Sequence, residues 1–98
     1  MSDIEVRDSA AEHRYEITVA GVLAGFAEYE QRDGRTLFTH TEVFPEFGGR
    51  GLAGVLAEQA LGAEHGHGRT VVPLCPFIAG WLRKHPDFPV AVQWPEQS

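Results

Sequence analysis

The hydrophobic period of this chain changes once, and a cluster of glycines marks the change. Before Val43 the chain reads as strands, with a period of two that small residues blur over 22–30; from Leu52 onward apolar residues recur at helical spacing. Between the two lies Phe44-Pro45-Glu46-Phe47-Gly48-Gly49-Arg50-Gly51, with three glycines in its last four positions. Strands first and helices afterwards, in 98 residues, restrict the chain to one small α+β or mixed α/β domain.

In the first half, Tyr15, Ile17 and Val19 alternate with Arg14, Glu16 and Thr18, which predicts a strand. Ala20-Gly21 punctuates, and a second strand is expected over 22–30. Asp33-Gly34 is the type I′ signal for a hairpin. The next strand, expected over 36–43, has Leu37, Thr39, Thr41 and Val43 on one face and Phe38, His40 and Glu42 on the other. Ile4 and Val6 suggest a short edge strand, making this half an antiparallel meander.

In the second half Leu52, Val55, Leu56, Ala60 and Ala63 share one helical face, and Gly66 is expected to end that helix as a left-handed glycine. A short buried strand follows over 70–72. Pro76 then opens a second helix with Phe77, Ile78, Trp81 and Leu82 directed inward. Arg83 and Lys84 suit its C-terminal dipole, and Pro86 ends it. The tail contains Pro89 and Pro95 and reads as irregular, with Val90-Ala91-Val92 extended; no internal repeat is visible.

Composition narrows the function. A single cysteine, Cys75, excludes an intramolecular disulfide framework and any multi-cysteine zinc site. No apolar run approaches a membrane span, and the start lacks a basic, hydrophobic leader, so a soluble cytoplasmic protein is expected. The net charge of −6 falls in the first half, whereas residues 50–98 are balanced. With Lys84 as the one lysine there is no basic stripe, so nucleic acid and anionic membrane are poor partners and a cationic partner is favoured. His65-Gly66-His67 offers two imidazoles without a neighbouring carboxylate or thiol, and no metal is expected there.

The glycine loop carries the sharper reading. Glycine-rich backbone entering a helix N-terminus exposes amide N–H groups at the positive end of the helix dipole, an anion site suited to phosphate or pyrophosphate. Gly49-x-Gly51-x-x-Gly54 matches the dinucleotide fingerprint literally. That fingerprint expects an acid about 20 residues further on, and no Asp or Glu lies between Glu64 and Asp87. A Walker loop fails too, because no Gly-Lys-Ser/Thr follows.

Val43-x-Pro45 followed by Gly49-Arg50-Gly51-Leu52-Ala53-x-x-Leu56 resembles the acetyl-CoA pyrophosphate loop of GNAT-type N-acetyltransferases. With His40-Thr41-Glu42-Val43, and Cys75 through His85-Pro86, the chain is similar to the very small single-domain GNAT-like proteins. The resemblance implies a minimal GNAT-like fold over 1–98, an antiparallel meander followed by β-α-β-α. It also implies acetyl-CoA held along Val43, Gly48, Gly49, Arg50, Gly51, Leu52 and Ala53, and acetyl transfer to an amine. One departure is Gly48, at a position where the family pattern has Gln or Arg; Arg50 remains to supply charge.

Three side chains are candidates for the chemistry. His40 and Glu42 lie two apart on one strand; either could accept the proton of an ammonium whose pKa is about 10.4, and the alternative for both is a solvated polar face. Cys75 immediately precedes Pro76, at a helix start where the dipole favours thiolate. Its role is open between nucleophile, acid toward the departing thiolate, and inert core thiol. Tyr15 and Tyr29 lie in early strands, away from the late-helix position where many GNAT enzymes carry a leaving-group acid. Transfer to a cationic amine competes with a second reading, a CoA-binding module without catalysis.

Overall fold

The computed structural model describes residues 3–95. Four antiparallel strands come first: β1 (Ile4–Ser9), β2 (Arg14–Val19), β3 (Val22–Arg32) and β4 (Arg35–Val43). They are followed by α1 (Leu52–Gly66), β5 (Thr70–Pro73), α2 (Pro76–Lys84) and β6 (Ala91–Val92). The strands form one mixed sheet in sequence order, antiparallel from β1 to β4 and parallel from β4 to β6. The meander, the edge strand at Ile4 and Val6, and the β-α-β-α continuation all match the sequence reading.

The core lies between the sheet and α1, which packs across β1 to β5. Tyr15, Ile17, Ala27, Tyr29 and Phe38 from the sheet meet Leu52, Leu56, Ala57, Ala60 and Leu61 from the helix. Gly25 on β3 lies against the Glu42–Val43 backbone of β4. A Cβ there would stand 2.4 Å from the Glu42 carbonyl oxygen, so no larger residue fits without moving backbone.

Three local expectations are corrected. Thr39 is an extra residue in β4, because Glu28 pairs with His40 while Tyr29 pairs with Phe38. The bulge breaks the alternation. Phe38 and Thr41 therefore share the α1 side of the sheet, Thr41 standing opposite the buried Ala27. At its C-terminus, α1 runs through Gly66 rather than ending before it. His67 caps the helix in right-handed conformation and the left-handed glycine is Gly68, whose N–H donates to the His65 carbonyl at 3.0 Å. On α2, Ile78 and Leu82 are buried as expected but Phe77 is exposed. Trp81 instead reaches the core margin by stacking on His85 and meeting Phe88 edge-on.

A buried polar knot ties the second half of α1 to the sheet. Glu64 has no exposed surface, and its carboxylate accepts from Tyr15 and Thr36 hydroxyls and from Arg69 in bidentate fashion at 2.8 and 3.1 Å. Burial by itself would raise the Glu64 carboxyl, but hydrogen bonds from Arg69, Thr36 and Tyr15 outweigh it and hold the group below its ordinary value. Burial, then the Glu64 carboxylate, push the Tyr15 phenol well above its usual range. Burial and a bond to Asp8 do the same to Tyr29. In sequence, Glu64 is one more acid near a helix end, and nothing marks it as interior.

Candidate functional site

The site begins where β4 and β5 part. Their parallel pairing runs from Arg35 opposite Thr70 to Phe38 opposite Pro73 and stops there, while β4 continues to Val43. Pro73 and Pro76 bracket the turn into α2, and proline cannot donate to a ladder. The Cys75 N–H makes the last link, donating to the Phe38 carbonyl at 2.8 Å. Beyond it the β5-facing edge of β4 over 39–43 has no described strand beside it, which leaves that edge open.

That opening ends at the glycine loop. Pro45–Phe47 forms a 3-10 turn, and Gly49 and Gly51 then take left-handed conformations, with φ +80° and +70°. Those angles explain glycine at 49 and 51, since left-handed backbone costs other L-residues about 1–2 kcal/mol. Gly48, at φ −65°, needs no such freedom. Gly51 is the N-cap of α1, and no side chain caps that helix. Its first amides, at Leu52 and Ala53, therefore point outward without an intrahelical partner. A cavity of about 160 Å³ opens over them, lined by Val43, Phe47, Gly48, Gly49, Gly51, Leu52 and Ala53. Six of the seven positions predicted to hold a cofactor are thus gathered round one hollow. Arg50 is the exception; its guanidinium stands over the Phe47 ring, 5.7 Å from the centroid.

The three predicted chemical side chains divide between the two faces of the sheet. Cys75 is the N-cap of α2 but does not cap it with its side chain; its thiol donates to Thr41 Oγ1 at 3.4 Å, on the α1 side of the opening. Cys75 is 4% exposed, whereas its neighbours Leu74 and Phe77 are exposed apolar residues. His40 and Glu42 lie on the other face, 3.4 Å apart from Nε2 to Oε1 and both open to solvent. The ring of Phe26 lies 6.1 Å from His40 and 6.0 Å from Phe44, with the Arg14 guanidinium 4.7 Å above its centre. Glu42 stands opposite Phe26, and His40 opposite Glu28. The structure therefore brings His40 to Glu42 but brings neither to Cys75.

Thr41 is the residue that sequence reasoning missed at this site. It was grouped with Leu37 by simple alternation, and only the bulge at Thr39 places it with Phe38 and beside Cys75. His65 and His67, at the far end of α1, are exposed. No described helix is long and apolar enough to cross a membrane.

A mixed sheet that splays between its fourth and fifth strands, with a glycine loop at the helix start beside the splay, is the architecture of a transferase family. The sequence matches the family model of the GCN5-related N-acetyl-transferases (Acetyltransf_CG) over residues 14–91, and the chain belongs to that family. Its fold is similar to the NMR solution structure of a GCN5-like protein from Staphylococcus aureus. That likeness has a TM-score of 0.70 at 20% identity, covering 96% of this chain and 92% of the other. No curated protein matches the sequence. Enzymes of this family generally draw their acetyl group from acetyl-CoA.

Proposed function

We propose that residues 1–98 form a single catalytic unit that transfers an acetyl group from acetyl-CoA to an amine, with the opening beside β4 as its cofactor groove. The observation that carries this reading is the open edge of β4. The unpaired edge of β4 leads from Cys75 to the uncapped amides of α1. Such amides suit a pyrophosphate. The free edge over 39–43 suits the amide-bearing arm, and exposed Leu74 and Phe77 cover its apolar part. Acetyl-CoA supplies the activated thioester; this chain's residues orient it and move the protons.

The division of side chains between faces supports direct transfer. The amine approaches from the open face of β4, where Glu42, or His40 held against it, accepts its proton. The amine nitrogen forms the new bond to the acetyl carbon as the carbon–sulfur bond breaks. Cys75, on the other side of the strand, donates its proton to the departing thiolate and is reprotonated through Thr41. Glu28 and Glu42 on the open face favour a cationic acceptor over a neutral or acidic one, while Glu16 is paired with Arg14 at 2.8 Å.

The test is a thermal melt with and without acetyl-CoA, followed by thiol-release assays with small amines, polyamines and lysine peptides. Acetyl-CoA should raise the melting temperature by linkage, and CoA should appear only when an amine is present. Cys75→Ala should lower turnover by about 10²-fold while leaving the acetyl-CoA shift in place. Full activity in Cys75→Ala removes the thiol from the mechanism, and a trapped acetyl-cysteine replaces direct transfer with a covalent route. Binding without turnover across every amine class makes the protein a CoA-binding module; no shift at all defeats both readings.

A further inference from the structure

A second hollow lies on the face of the sheet turned away from α1, at the hairpin end of β3 and β4. Thr36 and Val71 are paired and buried on the α1 side, where Thr36 donates to Glu64. Register therefore puts Arg35, Leu37 and Val72 on the opposite face, together with Arg32, which stands directly across from Arg35. Gln93 joins them from the chain after β6, its side-chain oxygen accepting from Arg35 Nη1 at 3.2 Å. These five residues and Asp33 of the turn line a space of about 280 Å³. Its apolar part is made by Leu37, half-buried, and Val72, 8% exposed, which are neighbours across β4 and β5.

The charge of this hollow asks for a counterion. Guanidinium groups directly opposite each other repel, and an anion set against both relieves that repulsion. Arg32 meets Glu30 at 2.9 Å, but both members of that pair are more than half exposed and it holds weakly. Arg35 is more enclosed and, among the described residues, forms no ion pair; its guanidinium meets only the neutral Gln93. A guanidinium carries five N–H donors, so one bond to Gln93 leaves Arg35 able to hold a carboxylate by two. The Gln93 amide nitrogen adds donors beside it. Asp33 is the one acid of the lining and is exposed in the turn. With two arginines against it, the lining is cationic by one charge in a protein whose net charge is −6. An inorganic anion would leave Leu37 and Val72 uncovered, and a neutral apolar molecule would leave Arg35 unmatched.

We propose that the hollow between the β3–β4 turn, β5 and Gln93 binds a small aliphatic carboxylic acid, its carboxylate on Arg35 with Arg32 at its flank and its body on Leu37 and Val72. The site is separate from the proposed cofactor groove, since it uses none of residues 39–53. Its occupant is a ligand other than acetyl-CoA, and carrying no amine it is not the acetyl acceptor.

The experiment is an NMR titration of the isotopically labelled full chain with 4-methylpentanoate, alongside the neutral 4-methylpentanamide and inorganic phosphate. The acid should move the amide signals of residues 32–37, 72 and 93 and leave those of 48–53 in place. The amide and phosphate should each bind about tenfold more weakly. Arg35→Gln should erase the preference for acid over amide, whereas Leu37→Ala should weaken both and spare phosphate. If Arg35→Gln loses its dispersed spectrum, Arg32→Gln, at an exposed position, carries the same comparison with an expected loss of about threefold for the acid alone. Amide or phosphate binding as tight as the acid, an undiminished preference in the arginine variants, or no perturbation at high millimolar acid would each overturn the proposal. None of these readouts depends on acetyl-CoA, so the acetyl-transfer reading stands or falls separately.

Discussion

The two ends of α1 are held in opposite ways. Its second half is fastened by side chains: Glu64 is buried and gripped by Tyr15, Thr36 and Arg69. Its first turn is fastened to nothing polar, because Gly51 offers no side chain to cap it. A helix with one saturated end and one unsatisfied end is anchored at the first and available at the second. The same contrast holds in the sheet. β4 is paired on both sides over 35–38, next to the knot, and on one side only over 39–43, next to the loop. Side-chain hydrogen bonds are complete at the anchored end, and backbone ones are left open at the loop, where the proposed cofactor would bind.

The contrast can be broken first at the knot. Arg69→Met removes the bidentate partner and strands a buried carboxylate, a change that costs about 3–5 kcal/mol. In a domain of this size that should lower the melting temperature by about 12–40 °C. Acetyl-CoA affinity of the folded fraction should stay unchanged, because the glycine loop lies at the other end of the helix. Urea unfolding with and without acetyl-CoA measures both quantities. A large affinity change would mean that the two ends are coupled rather than separate.

The reciprocal change is Gly51→Asp. Aspartate tolerates left-handed backbone better than most residues, so the fold should survive with a loss of about 1 kcal/mol. Its carboxylate would stand at the amides of α1 and oppose a pyrophosphate. Acetyl-CoA affinity should fall about 100-fold, equivalent to about 2.7 kcal/mol. Calorimetry reads this directly, and retained affinity would remove the loop from the cofactor groove.

A smaller effect sharpens the picture through pH. The Glu64 carboxyl is held below the ordinary value of 4.5, so its contribution is present above about pH 4.5 and is lost as pH falls toward its folded value. Tyr15 and Tyr29 are raised above 10.0, so their contribution is present below about pH 10 and is lost as pH rises beyond it. The urea midpoint should therefore be flat between about pH 5 and 10 and fall on both sides. Tyr15→Phe should flatten part of the alkaline limb while lowering the plateau. An alkaline limb that is identical in this variant would detach Tyr15 from the knot.

What could be read in advance follows the same division. The period change, the Asp33-Gly34 hairpin, Pro76 at the start of α2 and the glycine loop each depend on a few neighbouring residues, and sequence alone determined them. Family resemblance, built on the same loop and on Cys75, gathered almost all of the residues now found round the loop hollow. Tertiary structure decided the rest. The bulge at Thr39 depends on how β3 and β4 pair, and it moves Thr41 to Cys75 while leaving His40 and Glu42 on the opposite face. The burial of Glu64 depends on three partners from β2, β4 and the turn after α1, distant in sequence except for Arg69. A local pattern can say that a residue is polar and helical. Whether it ends in water or in the core is set by what the rest of the chain brings to meet it.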